Sequence, residues 1–224
     1  MTPLLIATTN RGKAREINAV LAGLPYEVVS LADLKLGAVC REGADSFAEN
    51  ARRKARFYSR LSGMLTLAED SGLEVEALGG APGVRSARFS GNGATDAANN
   101  RKTLGLLRRH PRRHRRARFV CLIALARDGE ILKVVRGVVR GTIAPEERGP
   151  HGFGYDPIFY YHPFRKTFGE VPVERKNTVS HRGRALVQIA GFLRKEAGRK
   201  RGGDRATVPP RSLSGPLPRR RSSS

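Results

Sequence analysis

Residues 66–91, TLAEDSGLEVEALGGAPGVRSARFSG, contain the acidic pair around which we interpret the rest of the chain. The apolar residues 64–68 lead into Glu69 and Asp70 and predict a buried strand. The two carboxylates would then lie at the carboxyl end of that strand, where α/β folds place their chemistry. Two hard oxygen ligands at such a position favour a small cation such as Mg²⁺. Residues 70–72, Asp-Ser-Gly, are equally typical of a simple turn, so both interpretations stay open at this point.

The N-terminal residues predict a strand followed by an anion-binding loop. Residues 4–7 are apolar, residues 8–13 read TTNRGK, and a helical pattern follows. A loop between a strand and a helix aims backbone N–H groups at an anion, and Arg11 and Lys13 add positive charge for phosphate oxygens. The Walker A pattern is absent. A plain strand–helix connection explains these residues equally well.

A second helix begins near Ser46, because Ser46 and Glu49 form a capping-box pattern ahead of apolar residues at helical spacing. Asn50 and Lys54 share one face of this helix. For Lys54 a solvated charge on the helix surface is the simpler interpretation. Glu42 lies in the polar segment just before the helix.

Later residues predict a mixed sheet. Residues 94–107 have a helical pattern. Residues 118–126 and 131–139 are apolar and β-branched, and the Asp128-Gly129 pair between them is a hairpin signal. An antiparallel pair of strands therefore joins the parallel strands that the N-terminal pattern favours.

Two further segments have features of a nucleotide site. In GFGYDPIF, residues 152–159, Phe153 lies between glycines and could stack on a flat base, while Asp156 could accept hydrogen bonds. A packed loop with core aromatic residues is the alternative. Ser180 predicts the N-cap of a helix whose first turn contains His181 and Arg182, where an anion is favoured. A single His at such a place is more often structural.

The net charge of +22 is concentrated in two segments. Residues 105–118 contain seven arginines and no acid, and we expect them to form an exposed loop. Residues 198–224 contain eight Lys or Arg and one Asp, and we expect a disordered basic tail that begins where Gly198 ends the last helix. A basic body suits a polyanionic substrate, and the two clusters could also bind nucleic acid weakly.

Other classes of protein are disfavoured. Two cysteines make neither a disulfide framework nor a zinc pattern. We find no secretory signal and no apolar run of about 18 residues, the length that a membrane span needs. The expectation is a cytoplasmic protein.

Five blocks in order resemble the Ham1-like family of inosine triphosphate pyrophosphatases, over residues 4–193. The blocks are IATTNRGKAREI, SFAENARRKA, LAEDSGLEVEALGGAPGVRSARFSG, GFGYDPIF and SHRGRAL. The resemblance implies an elongated, two-lobed α/β fold with a long mixed β-sheet flanked by helices, an active-site cleft between the lobes, and a homodimer. Together with the helix end expected at Gly198, it places the catalytic domain at residues 1–197. It also implies Mg²⁺-assisted hydrolysis of the non-standard purine nucleoside triphosphates ITP, dITP and XTP to the monophosphate and pyrophosphate.

The resemblance also implies roles for individual residues. Asp70 matches the general base, and Glu42, Asp70 and Glu69 match the metal-binding positions. Many relatives have Asp at the position of Glu69. The positions that match substrate contacts are Thr8, Thr9, Asn10, Arg11, Gly12, Lys13, Ser71, Phe153, Gly154, Tyr155, Asp156, Lys176, His181 and Arg182. Asn50 and Lys54 match positions that support the site.

Two alternatives remain at the level of sequence. One is a nucleotide phosphohydrolase with another base specificity on the same scaffold. The other is a nucleic-acid-binding protein that uses its arginine-rich segments, although no RNA- or DNA-binding motif is present. The arginine-rich loop and the tail have no counterpart in the family resemblance.

Overall fold

A computed structural model describes residues 1–34, 39, 40, 43, 45–111 and 115–203, with side chains omitted for residues 200–203. Within that part, seven strands form one sheet in the order β2-β1-β3-β4-β5-β6-β7. The strands are β1 (Thr2–Ile6), β2 (Tyr26–Ser30), β3 (Leu65–Val75), β4 (Arg116–Arg127), β5 (Glu130–Ile143), β6 (Phe159–Tyr161) and β7 (Lys166–Thr167). The helices are α1 (Arg11–Leu21), α2 (Phe47–Ser62), α3 (Asp96–Leu107), α4 (Val173–Asn177) and α5 (His181–Gly203).

The sheet is mixed, as the sequence predicted. Strands β2, β1 and β3 are parallel, and every later pair is antiparallel. The hairpin between β4 and β5 turns at Asp128 and Gly129, whose φ angles of 50° and 82° are the left-handed values that a tight hairpin needs. The α/β fold class with a mixed sheet between helices is therefore confirmed.

The hydrophobic core divides at the middle of the long strands. Near the parallel strands, α1 and α5 cover one face of the sheet through Ile17, Leu186 and Ile189, and α2 covers the other through Ala51 and Ala55. Past the carboxyl end of β1, where β3, β4 and β5 continue, a separate cluster rich in aromatic residues forms the second half of the core. Its members include Phe119, Tyr155, Phe159, Tyr161 and Phe168. These two halves correspond to the two predicted lobes.

Strand β3 corrects the prediction for the acidic pair. β1 pairs with β3 only as far as Leu67, but β3 continues to Val75 because it remains paired with β4. Glu69 and Asp70 therefore lie inside a continuous strand, just past the end of its parallel neighbour, and not at a strand end. The turn interpretation of residues 70–72 is wrong for the same reason.

Gly72 has a packing role within this strand. A Cβ atom added there would lie 2.3 Å from Ser86 Oγ and 2.6 Å from the backbone oxygen of Gly83. The absent side chain therefore lets the 3₁₀ segment Gly83–Arg88 cross the strand at close range.

The basic segments also differ from the prediction. Arg116 and Arg118 lie in β4 and pair with Glu76 and Glu74, so the C-terminal end of the arginine-rich segment is strand and not loop. Helix α5 begins after Ser180, whose Oγ accepts the N–H of Gly183 at 3.0 Å, so the predicted cap is confirmed. The helix continues through Gly198 to Gly203, so the predicted helix end at Gly198 is wrong. Residues 204–224 lie outside the described residues.

Candidate active site

The two carboxylates of the acidic pair point to opposite faces of the sheet. Successive side chains alternate along a strand, so neighbouring residues within β3 face different layers. Glu69 contacts side chains of α1 and α5, whereas Asp70 contacts side chains of α2. Both are buried, with 1% and 7% of their surfaces exposed. The pair therefore divides into two chemical environments.

Glu69 is surrounded by cations. One of its oxygens contacts the Lys13 ammonium, and the other lies 3.3 Å from Arg182 Nε. The same oxygen accepts a long hydrogen bond from the Cys121 thiol, with Sγ at 3.4 Å. Burial raises the pKa of Glu69, but the charges of Lys13 and Arg182 outweigh burial and hold that pKa far below its usual range. Glu69 is therefore an ionised carboxylate at neutral pH, and both cations share its charge.

Asp70 has the opposite electrostatic balance. Its Oδ2 accepts a hydrogen bond from Asn50 Nδ2 at 3.0 Å, and its Oδ1 accepts the Ser71 N–H at 3.1 Å. The Lys54 ammonium lies 4.0 Å from Oδ1, at the limit of an ion pair. Burial raises the pKa of Asp70, and the attraction of Lys54 and Lys13 does not offset it. A carboxylate with a raised pKa and few partners is suited to accept a proton or a metal ion.

Glu16 is a site residue that the sequence analysis did not single out. It is 1% exposed, and one oxygen lies 2.7 Å from Lys176 Nζ while the other contacts Arg182 Nη1. Burial raises the pKa of Glu16, but the charges of Arg182 and Lys176 hold it below its usual value. The sequence does contain a signal for Glu16. It lies three residues after Lys13 on the same predicted helix, and this spacing puts both side chains on one face.

The segment between β1 and α1 has the geometry predicted for an anion site. Asn10 is the N-cap of α1, and its Oδ1 accepts the N–H of Lys13 at 3.0 Å. The first turn of α1 therefore offers free backbone N–H groups at the positive end of the helix dipole, where an anion can bind. An open cleft runs along this loop. Its lining includes Thr8, Thr9, Asn10, Arg11, Ala14, Leu31 and Tyr58.

A second cavity adjoins that cleft, and Asn10 lines both. The cavity brings together most of the predicted substrate residues. Its lining includes Asn10, Lys13, Ser71, Phe153, Gly154, Tyr155, Asp156, Lys176, His181 and Arg182. Gly12 lies next to it, since a Cβ there would be 2.7 Å from the Phe153 ring.

Two cations hold the Phe153 ring. Lys176 Nζ lies 4.8 Å and Arg182 Cζ 5.5 Å from the ring centroid. The N–H of Phe153 donates to Asp156 Oδ2 at 2.9 Å, and the same oxygen contacts the Lys176 ammonium. Arg182 also donates to Ser71 Oγ at 3.0 Å. The aromatic ring, the buried cations and the acidic strand thus form one connected network.

His181 lies in the cavity as a neutral imidazole. Its ring stacks on Phe119 with centroids 4.6 Å apart. Burial lowers the pKa of His181 well below its usual value, and Arg182 and Lys176 lower it further. Its buried Nδ1 has no hydrogen-bond partner among the described residues. A neutral ring with an unused nitrogen can donate or accept one hydrogen bond to a ligand.

The predicted metal ligands are not gathered on one face. Glu42 lies outside the described residues, and Glu69 and Asp70 are separated by the sheet. Within the described ranges, no group of three or more His, Cys, Asp or Glu is close enough to hold a metal ion. Asp70 fits such an ion, because its oxygens retain free lone pairs and its charge is poorly compensated.

None of the described helices is long and apolar enough to cross a membrane.

Comparison with known proteins identifies the family of this chain. A sequence profile described as the Ham1 family matches residues 4–192. The chain is 45% identical over 190 residues to the dITP/XTP pyrophosphatase of Desulforamulus reducens, covering 85% of this chain and 94% of that protein. It is 46% identical over 193 residues to the dITP/XTP pyrophosphatase of Geobacter sulfurreducens, covering 86% and 97%.

Solved structures agree with the sequence matches. A HAM1 protein from Coxiella burnetii superposes with a TM-score of 0.79 at 38% identity, covering 87% of this chain and all of that one. A nucleoside-triphosphatase / dITP/XTP pyrophosphatase from Mycobacterium abscessus superposes with a TM-score of 0.68 at 42% identity, covering 86% and 100%. The profile, the identity over most of the chain and the shared fold lead to one conclusion: the chain belongs to the Ham1 family.

Proposed function

We propose that this protein hydrolyses the non-standard purine nucleoside triphosphates ITP, dITP and XTP to the monophosphate and pyrophosphate. Relatives at 45% and 46% identity are named dITP/XTP pyrophosphatases. Hydrolysis of a phosphoanhydride in this family goes with a divalent metal, and we propose Mg²⁺ for that role. We further propose a homodimeric, cytoplasmic enzyme.

One observation carries this proposal. The cavity beside Phe153 and His181 and the cleft at the N-terminus of α1 are both lined by Asn10. The flat aromatic surface and the imidazole in the cavity suit a base, whereas the helix amides and Arg11 in the cleft suit phosphates. A nucleoside triphosphate likewise has a base at one end and phosphates at the other, so one molecule could occupy both the cavity and the cleft.

Asp70 is the proposed general base. Its raised pKa reflects a carboxylate that gains from taking up a proton, and a base in that state assists attack by water at the α-phosphorus. Such assistance contributes roughly 10²–10⁴-fold to the rate. Asn50 and the Ser71 N–H each hold one Asp70 oxygen and so fix the direction of the carboxylate.

Positive charge balances the triphosphate in this proposal. Lys13, the α1 amides and Arg11 bind phosphate oxygens, because a polyanion would otherwise repel the attacking oxygen. Asp70 and Glu42 would hold the divalent cation, which neutralises and orients the phosphates when bound. We leave Glu69 out of the metal site because both of its oxygens contact side-chain cations on the other face of the sheet.

The base pocket supports selection by the 6-position of the purine. A protein donor matched to a 6-keto oxygen would face a 6-amino group of ATP with two donors unpaired, which disfavours ATP strongly. His181 and Arg182 are the proposed residues for this contact. GTP is excluded by its 2-amino group, whereas XTP presents a 2-keto group at the same edge.

The experiment is pyrophosphate release from ITP, dITP, XTP, ATP and GTP, each with Mg²⁺ and with EDTA. We expect metal-dependent release from the first three nucleotides only. Equal release from ATP and ITP would refute the base selectivity and favour a phosphohydrolase of other specificity. Release from none of them would refute the enzymatic proposal.

A further inference from the structure

The loop that contains Phe153 is held by a helix that neither the motifs nor the proposed mechanism uses. Gly154 makes one backbone hydrogen bond through its N–H and another through its C=O, which belong to the two successive peptide units on either side of its Cα. Its N–H donates to Asp96 Oδ2 at 2.6 Å, and its C=O accepts from Asn100 Nδ2 at 3.1 Å. Asp96 and Asn100 lie four residues apart on α3 and so share one face of that helix.

The conformation of Gly154 explains why such a hold matters. Its φ is +62°, a left-handed value that directs Phe153 and Tyr155 to opposite sides of the loop. The Phe153 ring rests against α1 at Gly12, whereas the Tyr155 hydroxyl donates to the Ser86 carbonyl at 2.8 Å. A change in the φ or ψ angle of Gly154 would therefore displace Phe153 relative to Tyr155.

Asn100 is a poor choice for stability alone. It is 1% exposed, and its Oδ1 has no hydrogen-bond partner among the described residues. Burying an amide with an unpaired oxygen is unfavourable, so a half-satisfied buried amide calls for an explanation beyond packing. Its bond to Gly154 supplies one. Asp96, by contrast, is exposed, and it lines the cavity that also contains Phe153 and His181.

We propose that Asp96 and Asn100 form a clamp on the backbone of Gly154 and are positioning residues for the purine base. This proposal rests on the proposed function, because the clamp fixes the aromatic surface that the base would stack on. Neither side chain performs a chemical step. Their contribution is a pre-formed pocket, which strengthens base binding by removing the need to order the loop.

Steady-state kinetics with ITP test the clamp. In Asp96→Ala we expect KM to rise about tenfold, since a charge-assisted hydrogen bond is lost, while kcat changes by less than about threefold. Asp96→Asn keeps an acceptor oxygen and should recover most of the affinity. Arg101→Ala, an exposed residue on the same helix, is the matched control and should leave KM unchanged.

A second pair of variants separates positioning from folding. Asn100→Leu removes both the bond to Gly154 and the unpaired buried Oδ1 at similar volume, so a positioning role predicts a raised KM without a lower melting temperature. Asp96→Ala combined with Asn100→Leu should raise KM by less than the product of the two single effects, because both side chains hold the backbone of one residue. Full multiplicative effects would contradict a shared clamp.

Hydrogen–deuterium exchange of residues 150–158 without nucleotide measures how often the loop backbone opens, and it does not depend on turnover. Faster exchange in Asp96→Ala, together with raised KM, supports the proposal. Unchanged exchange overturns it, and so does faster exchange with an unchanged KM. If the wild-type protein hydrolysed no ITP, the proposed function would fail. The clamp would then be judged by exchange and by the loss of IMP binding in Asp96→Ala; equal IMP binding would overturn it.

Discussion

The two faces of β3 treat adjacent carboxylates in opposite ways. Glu69 faces α1 and α5, where Lys13 and Arg182 lower its pKa, and Asp70 faces α2, where burial raises its pKa. The difference arises from strand alternation and from the cations on each covering layer. It teaches that two neighbouring acids in a motif can divide into an anion that holds the site together and a base that acts in it.

The largest effect should follow from removing the base. Asp70→Asn keeps the size of the side chain and loses the proton acceptor, so we expect kcat for ITP to fall by roughly 10²–10⁴-fold. Pyrophosphate release under saturating ITP and Mg²⁺ measures it. Wild-type turnover in this variant would remove Asp70 from the mechanism.

The next effect concerns stability on the other face. Glu69→Gln leaves the partly exposed Lys13 and the buried Arg182 without their shared anion, and removing one partner of a buried ion pair costs about 3–5 kcal/mol. Thermal or urea unfolding at pH 7 measures the loss.

The matched control for this change lies on the same strand. Glu74 pairs with Arg118, whose side chain is 45% exposed, so Glu74→Gln should cost less than about 1 kcal/mol. A Glu69→Gln protein that is as stable as the wild type but inactive would instead indicate that Glu69 is a metal ligand.

The pH dependence of thermal stability should also distinguish the two carboxylates. Glu69 has a lowered pKa, so its stabilisation is complete above the usual value of 4.5 and is lost as the pH falls below it. Asp70 has a raised pKa, so its charged form is destabilising, and that penalty disappears as the pH falls through the raised value towards 3.8. On acidification, the melting temperature of Asp70→Asn should converge on the wild type before that of Glu69→Gln does. The reverse order would contradict the assignment.

The smallest effect is expected at Cys121, which is fully buried and donates its thiol to Glu69. Cys121→Ala removes a weak hydrogen bond and a small volume, so unfolding should become easier by about 1 kcal/mol. The kcat for ITP should stay within a factor of two, since the proton acceptor on the other face is untouched. A tenfold loss of kcat would show that the two faces are coupled.

Local patterns predicted the elements well. The capping residues Ser46 and Ser180, the Asp128-Gly129 hairpin and the apolar runs gave the helices and strands and the mixed sheet. The strand at Glu69 was predicted too short, because two adjacent acids and a glycine look like a turn. Pairing with β4 over the whole of β3, which no local pattern encodes, overrode that preference.

The site was predicted in its membership more than in its geometry. The resemblance named Lys13, Phe153, Lys176, His181 and Arg182, which the structure brings to one cavity. It did not indicate that the acidic pair is divided by the sheet, because that requires knowing that β3 runs through the motif. Glu16 and Asp96 were missed because each acts through tertiary contacts with residues far away in sequence.

The melting temperature of Asp70→Asn at pH 7 tests the central contrast most directly. A buried carboxylate with a raised pKa destabilises the folded protein when ionised, so this variant should melt at a higher temperature than the wild type while Glu69→Gln melts at a lower one. That result would identify Asp70 as a group kept for chemistry at the expense of stability. A melting temperature that falls in both variants would contradict the account, because Asp70 would then be a structural anion like Glu69.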